Sequence, residues 1–138
     1  MKRRDLLKGL AVMPAAAAQQ YESRTRGLPP LIIKDARVIA TSPGGQYQWV
    51  FLKIITSEPD LYGLGSCNNA YLTSEVIAAI RDHLAPFLIG KDANRIEDLW
   101  QSGNVRSYWR NSTVHNVLLS AVDEALWDIK GKRANMPV

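Results

Sequence analysis

The sequence has few of the residues that build covalent or metal-centred sites. Cys67 is its only cysteine, which excludes an intrachain disulfide and a cluster of thiolate ligands. His83 and His115 are its only histidines, and they fall on separate predicted helices without the spacing of a metal site. We therefore expect a packed Cys67, two surface or capping histidines, no catalytic group and no metal or cofactor site in this chain.

Long apolar runs and a strong net charge are also missing. No segment approaches the roughly 20 apolar residues that a membrane-spanning helix needs, so no membrane span is expected. The net charge is +4, but residues 1–18 hold four basic side chains against one acidic, and the remainder carries 13 basic and 12 acidic residues. A net charge of +1 on the remainder argues against a nucleic-acid partner.

The first residues have the layout of an export signal. Residues 1–18 give a basic start, a short apolar stretch and small residues of the Ala-x-Ala kind. The arginine pair Arg3-Arg4, followed by two leucines and Lys8, resembles the twin-arginine motif. We expect a periplasmic or exported protein with a linker over residues 19–30. The alternative is an amphipathic helix that stays attached.

Three short strands are predicted in the first part of the remaining chain. Residues 31–41, 49–56 and 61–65 are rich in β-branched and aromatic residues and are separated by short turns. Short connections favour an antiparallel meander, because parallel pairing needs a long crossover. The expected core faces are Ile32, Ala36, Val38 and Ala40, with Lys34 as an exception, and Val50, Leu52 and Ile54.

Helical periodicity follows the strands. Thr73 or Ser74 is predicted to cap a helix that Pro86 ends, and Asn94 to cap a second helix with Ile96, Leu99 and Trp100 facing inward. Ser112 or Thr113 opens the last and longest helix. Its apolar stripe is Val114, Val117, Leu118, Ala121, Val122, Ala125, Leu126 and Ile129. The sequence thus predicts an α+β fold: a three-stranded antiparallel β-meander followed by a bundle of three to four helices.

Several ordered motifs resemble one family. Residues 120–132 read SAVDEALWDIKGK and are followed by Pro137-Val138, and residues 62–65 read YGLG. Residues 85–92, 95–101 and 107–110 read APFLIGKD, RIEDLWQ and SYWR. Together they resemble the N-terminal capping domain of the mandelate racemase and muconate lactonizing enzyme family of the enolase superfamily, in its D-mannonate dehydratase-like branch.

The resemblance implies that the parent enzyme has two domains with separate roles. In that family a (β/α)-barrel holds Mg²⁺ and the proton-transferring groups, and it removes a proton α to a carboxylate before water is lost. Residues 31–138 would be the cap, whose apolar underside rests on the barrel. A barrel takes about 250 residues, so we expect a fragment that lacks it and is inactive alone. The resemblance also implies a sugar-acid substrate and a homo-oligomeric parent.

Cap loops in this family fold over the barrel mouth and touch the substrate. Residues 42–48 and 66–72 qualify, and the second loop lacks the acidic residue that many mannonate dehydratases carry there, which leaves the sugar acid open. Substrate contacts are expected at Asn68, Asn69, Tyr47 and Tyr71. The alternative is that the asparagines only stabilise the turn itself. Arg110 is a candidate for a carboxylate or subunit contact, or for packing.

A second function class remains open on sequence alone. The chain can be read as a stand-alone, non-catalytic binding or oligomerisation module derived from such a cap. That interpretation predicts cooperative unfolding and a defined oligomer for residues 19–138, whereas a lone cap exposes an apolar patch and aggregates.

Overall fold

The computed structural model describes residues 29–42, 44, 48–69, 71–107 and 110–138. The export signal expected over residues 1–18 lies outside them, as does most of the expected linker. Three strands, β1 (Ile33–Thr41), β2 (Trp49–Thr56) and β3 (Tyr62–Ser66), form one antiparallel sheet in the order β1-β2-β3. The predicted meander is confirmed.

Helices cover one face of this sheet. Helix α1 (Thr73–Ala79) continues through a π-helical segment (Ile80–Leu84) into α2 (Ala85–Leu88), and α3 (Ile96–Arg106) and α4 (Thr113–Ala134) follow. Ser112 caps α4, because its hydroxyl accepts a hydrogen bond from the His115 amide. The α+β class and the long final helix are therefore confirmed.

Strand β2 follows the predicted alternation, and β1 departs from it. Val50, Leu52 and Ile54 are fully buried. In β1 a register shift between Ile33 and Asp35 adds one residue, so Ile33 faces the core before the shift and Ala36 after it. The predicted core position of Ile32 was wrong because a bulge changes which alternate residues point inward.

Three predictions about helix ends were also wrong. Pro86 does not end its helix: the wider π-helical turn before it accommodates the ring, and the helix runs on to Leu88. Thr73 and Ser74 lie inside α1, whose N-cap Leu72 makes no side-chain cap. Helix α3 has Arg95 at its N-cap, so the predicted cap by Asn94 was wrong; this side chain bonds Asp92 instead.

Inward packing of α3 is confirmed for two of the three predicted residues. Ile96 and Leu99 are buried, whereas Trp100 is 38% exposed. On α4 the predicted stripe is buried from Leu118 to Ile129, and the remaining two valines are half-buried against the core. The core therefore lies between the sheet and α4, with α3 at its margin.

Strand β3 and helix α4 pack unusually closely. A Cβ on Gly63 would lie 2.0 Å from the carbonyl oxygen of Ala125, and one on Gly65 would lie 1.9 Å from that of Ala121. No side chain larger than hydrogen fits either position without moving a backbone. The two glycines of the YGLG motif thus let α4 rest directly on the strand.

The outer face of the sheet carries no described helix. Four large apolar side chains on this face are between 36% and 50% exposed: Ile39, Trp49, Tyr62 and Leu64. None of the described helices combines the length and hydropathy needed to cross a membrane.

Candidate functional site

The two loops that sequence analysis selected leave the same end of the sheet. Thr41 pairs with Trp49, and Phe51 pairs with Ser66, so the end of β1, the start of β2 and the end of β3 lie side by side. The described roots of the two loops, at Ser42 and Gln48 and at Ser66, therefore lie next to each other. The antiparallel meander brings them together although the segments are separated along the chain.

Asn68 is tied to the sheet through its side chain. Its Oδ1 accepts a hydrogen bond from the Val50 amide at 3.1 Å. The neighbouring Cys67 amide donates to the Val50 carbonyl at 2.8 Å, which extends the pairing of β2 with β3 past the end of the strand. The described hydrogen bond of Asn68 uses only Oδ1, and the residue is exposed.

Asn69 and Tyr71 form the turn that leads into α1. The Asn69 Oδ1 accepts a hydrogen bond from the Tyr71 amide at 3.3 Å, and the Asn69 carbonyl accepts one from the Thr73 hydroxyl at 3.0 Å. This is the local pairing that asparagine favours in turns. Tyr71 is 94% exposed and projects from the loop. Tyr47, the fourth predicted contact, lies outside the described residues.

Cys67 is fully buried at the root of the second loop. Burial raises the pKa of the Cys67 thiol from 9.0 to about 12, and the negative charge of Glu124 contributes a smaller part of this shift. A thiol with so high a pKa is a poor nucleophile at neutral pH, because the thiolate is the reactive form. The residue serves packing, as expected from the sequence.

Sequence analysis missed a partner of the loop on α4. The Glu124 Oε2 accepts a hydrogen bond from the Ser66 amide at 2.7 Å, directly before Cys67. The signal was present in the four-residue spacing of Glu124, Asp128 and Lys132, which places the three side chains on one helix face. Lys132 Nζ lies 2.7 Å from Asp128 Oδ2.

Arg110 lies on the connection between α3 and α4. It is exposed in the turn before α4, and the Tyr108 and Trp109 that precede it lie outside the described residues.

The two histidines were not expected to meet, yet they line one cavity of about 340 Å³. His83 comes from the π-helical segment and His115 from the first turn of α4. The Nε2 atom of His115 is buried without a hydrogen-bond partner among the described residues. In the described part of the chain no group of three or more His, Cys, Asp or Glu side chains could hold a metal ion.

The chemistry available at the loop end of the sheet is therefore hydrogen bonding and enclosure. The described loop residues offer side-chain amides and an exposed phenol, which suit hydroxyl-rich ligands. They do not present a paired acid and base. Proton transfer would have to come from groups beyond these residues.

Known proteins are similar to this chain over most of its length. A family model described as "Mandelate racemase / muconate lactonizing enzyme, N-terminal domain" matches residues 28–138. A D-galactonate dehydratase family member from Pantoea ananatis is 54% identical over 108 residues, which are 78% of this chain and 26% of that protein. A D-mannonate dehydratase from Sphingomonas is 50% identical over 109 residues, 79% of this chain and 26% of that protein. The chain spans about a quarter of the length of the curated relatives it matches.

Solved structures show the same fold. An enolase from Pantoea ananatis, crystallised with D-gluconate and Mg, superposes with a TM-score of 0.72 and 53% identity over 75% of this chain and 25% of that chain. An enolase superfamily member from Salmonella Typhimurium gives a TM-score of 0.69 at 29% identity, over 75% of this chain and 27% of that one. The resemblance drawn from the motifs is confirmed.

Proposed function

We propose, because the chain belongs to the mandelate racemase and muconate lactonizing enzyme family, that residues 31–138 cap a sugar-acid dehydratase and help to select its substrate. The reaction of the whole protein would be a Mg²⁺-dependent carbon–oxygen lyase reaction. A base would remove the proton α to the substrate carboxylate, and a hydroxyl would leave as water. The observation that carries this proposal is the convergence of both cap loops at one end of the sheet.

The relatives support a polyol carboxylate as the ligand class. Their names refer to D-galactonate and D-mannonate, and one contains D-gluconate. A sugar acid presents hydroxyl groups that both donate and accept hydrogen bonds. With its Oδ1 held by Val50, Asn68 can offer its Nδ2 donors to such a hydroxyl, and Asn69 and Tyr71 follow it in the same loop.

The Mg²⁺ of the proposed reaction does not fit the described residues. No described cluster of acidic, histidine or cysteine side chains could bind it, and Cys67 is buried as a neutral thiol. The proposal therefore assigns metal binding and proton transfer to the part of the dehydratase that the relatives have beyond the matched quarter. The contribution of this domain is to close the site, exclude water and contact the far end of the substrate.

The first experiment separates the cap from the chemistry. The purified 138-residue chain is incubated with Mg²⁺ and a panel of aldonates, and 2-keto-3-deoxy products are assayed. We expect no turnover. Dehydration of any aldonate by this chain would refute the assignment of the reacting groups to another part of the protein.

A chimera tests the capping role directly. Residues 31–138 replace the matched part of the Sphingomonas D-mannonate dehydratase, and kcat and KM are measured for several aldonates. A cap that closes correctly should preserve turnover, whereas a misplaced one costs about a hundredfold. Loss of all activity in a folded chimera would count against the proposal.

A variant of Asn68 then tests substrate contact. Asn68→Asp keeps the oxygen that accepts from Val50 but removes the Nδ2 donors, so KM in the chimera should rise. Asp60→Asn, in the turn at the opposite end of the sheet, is the matched control and should leave KM unchanged. Equal KM values for both variants would remove Asn68 from the contact set.

The oligomeric state of the dehydratase is part of the proposal. We propose a homo-oligomer, with Arg110 exposed for contact with a neighbouring subunit or with the substrate carboxylate. Light scattering on Arg110→Ala in the chimera distinguishes a changed subunit number from a changed KM. If neither quantity changes, Arg110 has no such role.

Export is proposed on the basis of the first residues alone. Residues 1–18 are proposed to direct the folded protein across the inner membrane by the twin-arginine route. A fusion of these residues to a reporter should reach the periplasm, and replacement of Arg3 and Arg4 by lysine should prevent it. Export of the lysine variant at the original level would contradict the assignment.

A further inference from the structure

Strand β3 is an edge of the sheet, so one row of its backbone groups has no neighbouring strand. Its other side pairs with β2. Because alternate residues of an antiparallel strand direct their N–H and C=O groups to the same side, Tyr62, Leu64 and Ser66 direct theirs away from β2. An uncovered row of this kind needs other partners or invites pairing with another chain.

Side chains of α4 occupy this row in place of a fourth strand. Three charged residues of the helix each bond one backbone group of the strand: Glu124 accepts from the Ser66 amide at 2.7 Å, Asp128 accepts from the Leu64 amide at 3.0 Å, and Lys132 donates to the Tyr62 carbonyl at 2.9 Å. Lys132 also donates to Asp128 at 2.7 Å. We call these three side chains the edge ladder.

The spacing of the edge ladder matches that of the strand. Four residues of an α-helix rise about 6 Å, and two residues of an antiparallel strand advance about 6.8 Å. The helix runs opposite to the strand, so increasing numbers on α4 meet decreasing numbers on β3. Gly63 and Gly65 make the match possible, since they bring the helix axis close enough for side chains to reach the strand.

The bond between Glu124 and Ser66 lies at the start of the second cap loop, residues 66–72. Glu124 holds Ser66 from the helix side, and one residue later Val50 holds Cys67 and Asn68 from the sheet side. The loop therefore begins from a segment that is fixed on both sides. We propose that Glu124 is a positioning residue for residues 66–72, an inference that rests on the proposed function of that loop. It acts through Ser66 and has no contact with substrate.

Hydrogen exchange in the full 138-residue chain tests the Glu124–Ser66 hydrogen bond without any enzymatic assay. Three variants are compared by NMR: Glu124→Ala, Glu124→Gln and Asp123→Asn. Loss of the acceptor in Glu124→Ala should speed exchange of the Ser66 amide roughly tenfold, the factor that corresponds to about 1.4 kcal/mol. Glu124→Gln keeps an acceptor oxygen and should restore much of the protection, and Asp123→Asn should match the unmodified chain. Unchanged exchange at Ser66 in Glu124→Ala would overturn the proposal.

Kinetics in the Sphingomonas chimera test the consequence for substrate selection. A displaced loop weakens substrate contacts more than the chemistry elsewhere, so Glu124→Ala should raise KM severalfold with a smaller effect on kcat, and Glu124→Gln should rescue it. Faster exchange with an unchanged KM would refute the positioning role. An inactive chimera that carries the native Glu124 would instead count against the proposed function, because the exchange result does not depend on activity.

Discussion

Two neighbouring regions of the chain differ sharply in packing. Strand β3 packs tightly against α4, whereas the loop that follows β3 exposes its side chains. In the contact, the backbones approach so closely that no Cβ fits on Gly63 or Gly65. In the loop, Tyr71 is 94% exposed and Asn68 is exposed as well. The change occurs within a few residues, at Ser66 and Cys67.

This difference separates what must stay constant from what is open to change. The contact tolerates almost no substitution, because its neighbours are backbone atoms that cannot move independently. The loop is rooted by main-chain and side-chain hydrogen bonds, and its exposed side chains touch little of the domain. Exposed side chains of this loop can therefore be changed without disturbing the sheet.

The largest expected effect concerns Cys67, which lies on the boundary. Burial raises the pKa of its thiol from 9.0 to about 12, so at pH 8 the folded protein holds about a thousandfold less thiolate than the unfolded chain. Alkylation by iodoacetamide, followed by mass spectrometry with and without urea, should be slower in the native state by at least that factor. Similar rates in both states would show that Cys67 is accessible to solvent and not packed in the core.

The same pKa shift predicts a loss of stability in alkali. Below pH 9 both states keep the proton and the thiol contributes no pH dependence. Between pH 9 and about 12 the unfolded state ionises first, so the free energy of unfolding should fall as pH rises through this interval. Cys67→Ser, which does not titrate there, is the control and should show a flatter profile.

The next effect concerns the tight contact. Gly65→Ala forces a Cβ to within 1.9 Å of the Ala121 carbonyl oxygen, and relief requires α4 to move. We expect a loss of about 3 kcal/mol in the free energy of unfolding, measured with urea. Gly90→Ala is the contrast, since nothing lies within 4 Å and only the positive φ opposes the substitution, at a cost of about 1 kcal/mol. Equal losses would mean that the contact is looser than described.

A smaller effect is expected on the edge ladder. Asp128→Ala removes the acceptor of the Leu64 amide and the partner of Lys132. The carboxylate is partly exposed, so the expected loss is about 1 kcal/mol. Asp98→Ala breaks a fully surface pair with Arg95 and should cost less than about 0.5 kcal/mol. A larger loss of stability in Asp98→Ala than in Asp128→Ala would contradict the structural role given to the Asp128 side chain.

The smallest effect is expected in the loop. Tyr71→Ala removes an exposed ring that makes no described packing contact, so stability should change by less than about 0.5 kcal/mol. In the chimera the same variant should alter KM for aldonates. A substantial loss of stability would show that the loop belongs structurally to the core.

The elements that the sequence predicted well are those with strong local periodicity. Strand β2 alternates without interruption from Val50 to Ile54, and α4 keeps its apolar stripe over about four turns. Short turns then leave the antiparallel meander as the natural topology. In these segments local pattern and tertiary burial agree.

The features that the sequence did not predict depend on distant contacts. The asparagine of residue 68 bonds a backbone amide 18 positions earlier, and Glu124 bonds one 58 positions earlier. The charged side chains on α4 are regularly spaced, but no local pattern in the sequence identifies the backbone atoms that Asn68 or Glu124 bonds. The common cavity of His83 and His115 likewise results from helices that pack together only in the folded chain.

Within single elements, errors arose where one residue changed the local geometry. The extra residue in β1 reversed the side of Ile32, and the π-helical turn carried a helix through Pro86. Such irregularities shift a hydrogen-bonding register without altering composition, so residue preferences alone do not reveal them.

The extra residue at Lys34 lets the start of β1 serve two partners. The Ile32 carbonyl accepts from Ser57 at the end of β2, while Ile33 exchanges hydrogen bonds with Gly90 and Lys91 after α2. The helical layer is thereby joined to the sheet by main-chain bonds, which persist whatever side chains occupy these positions. The joint therefore sets the position of the helical layer relative to β1 through backbone atoms.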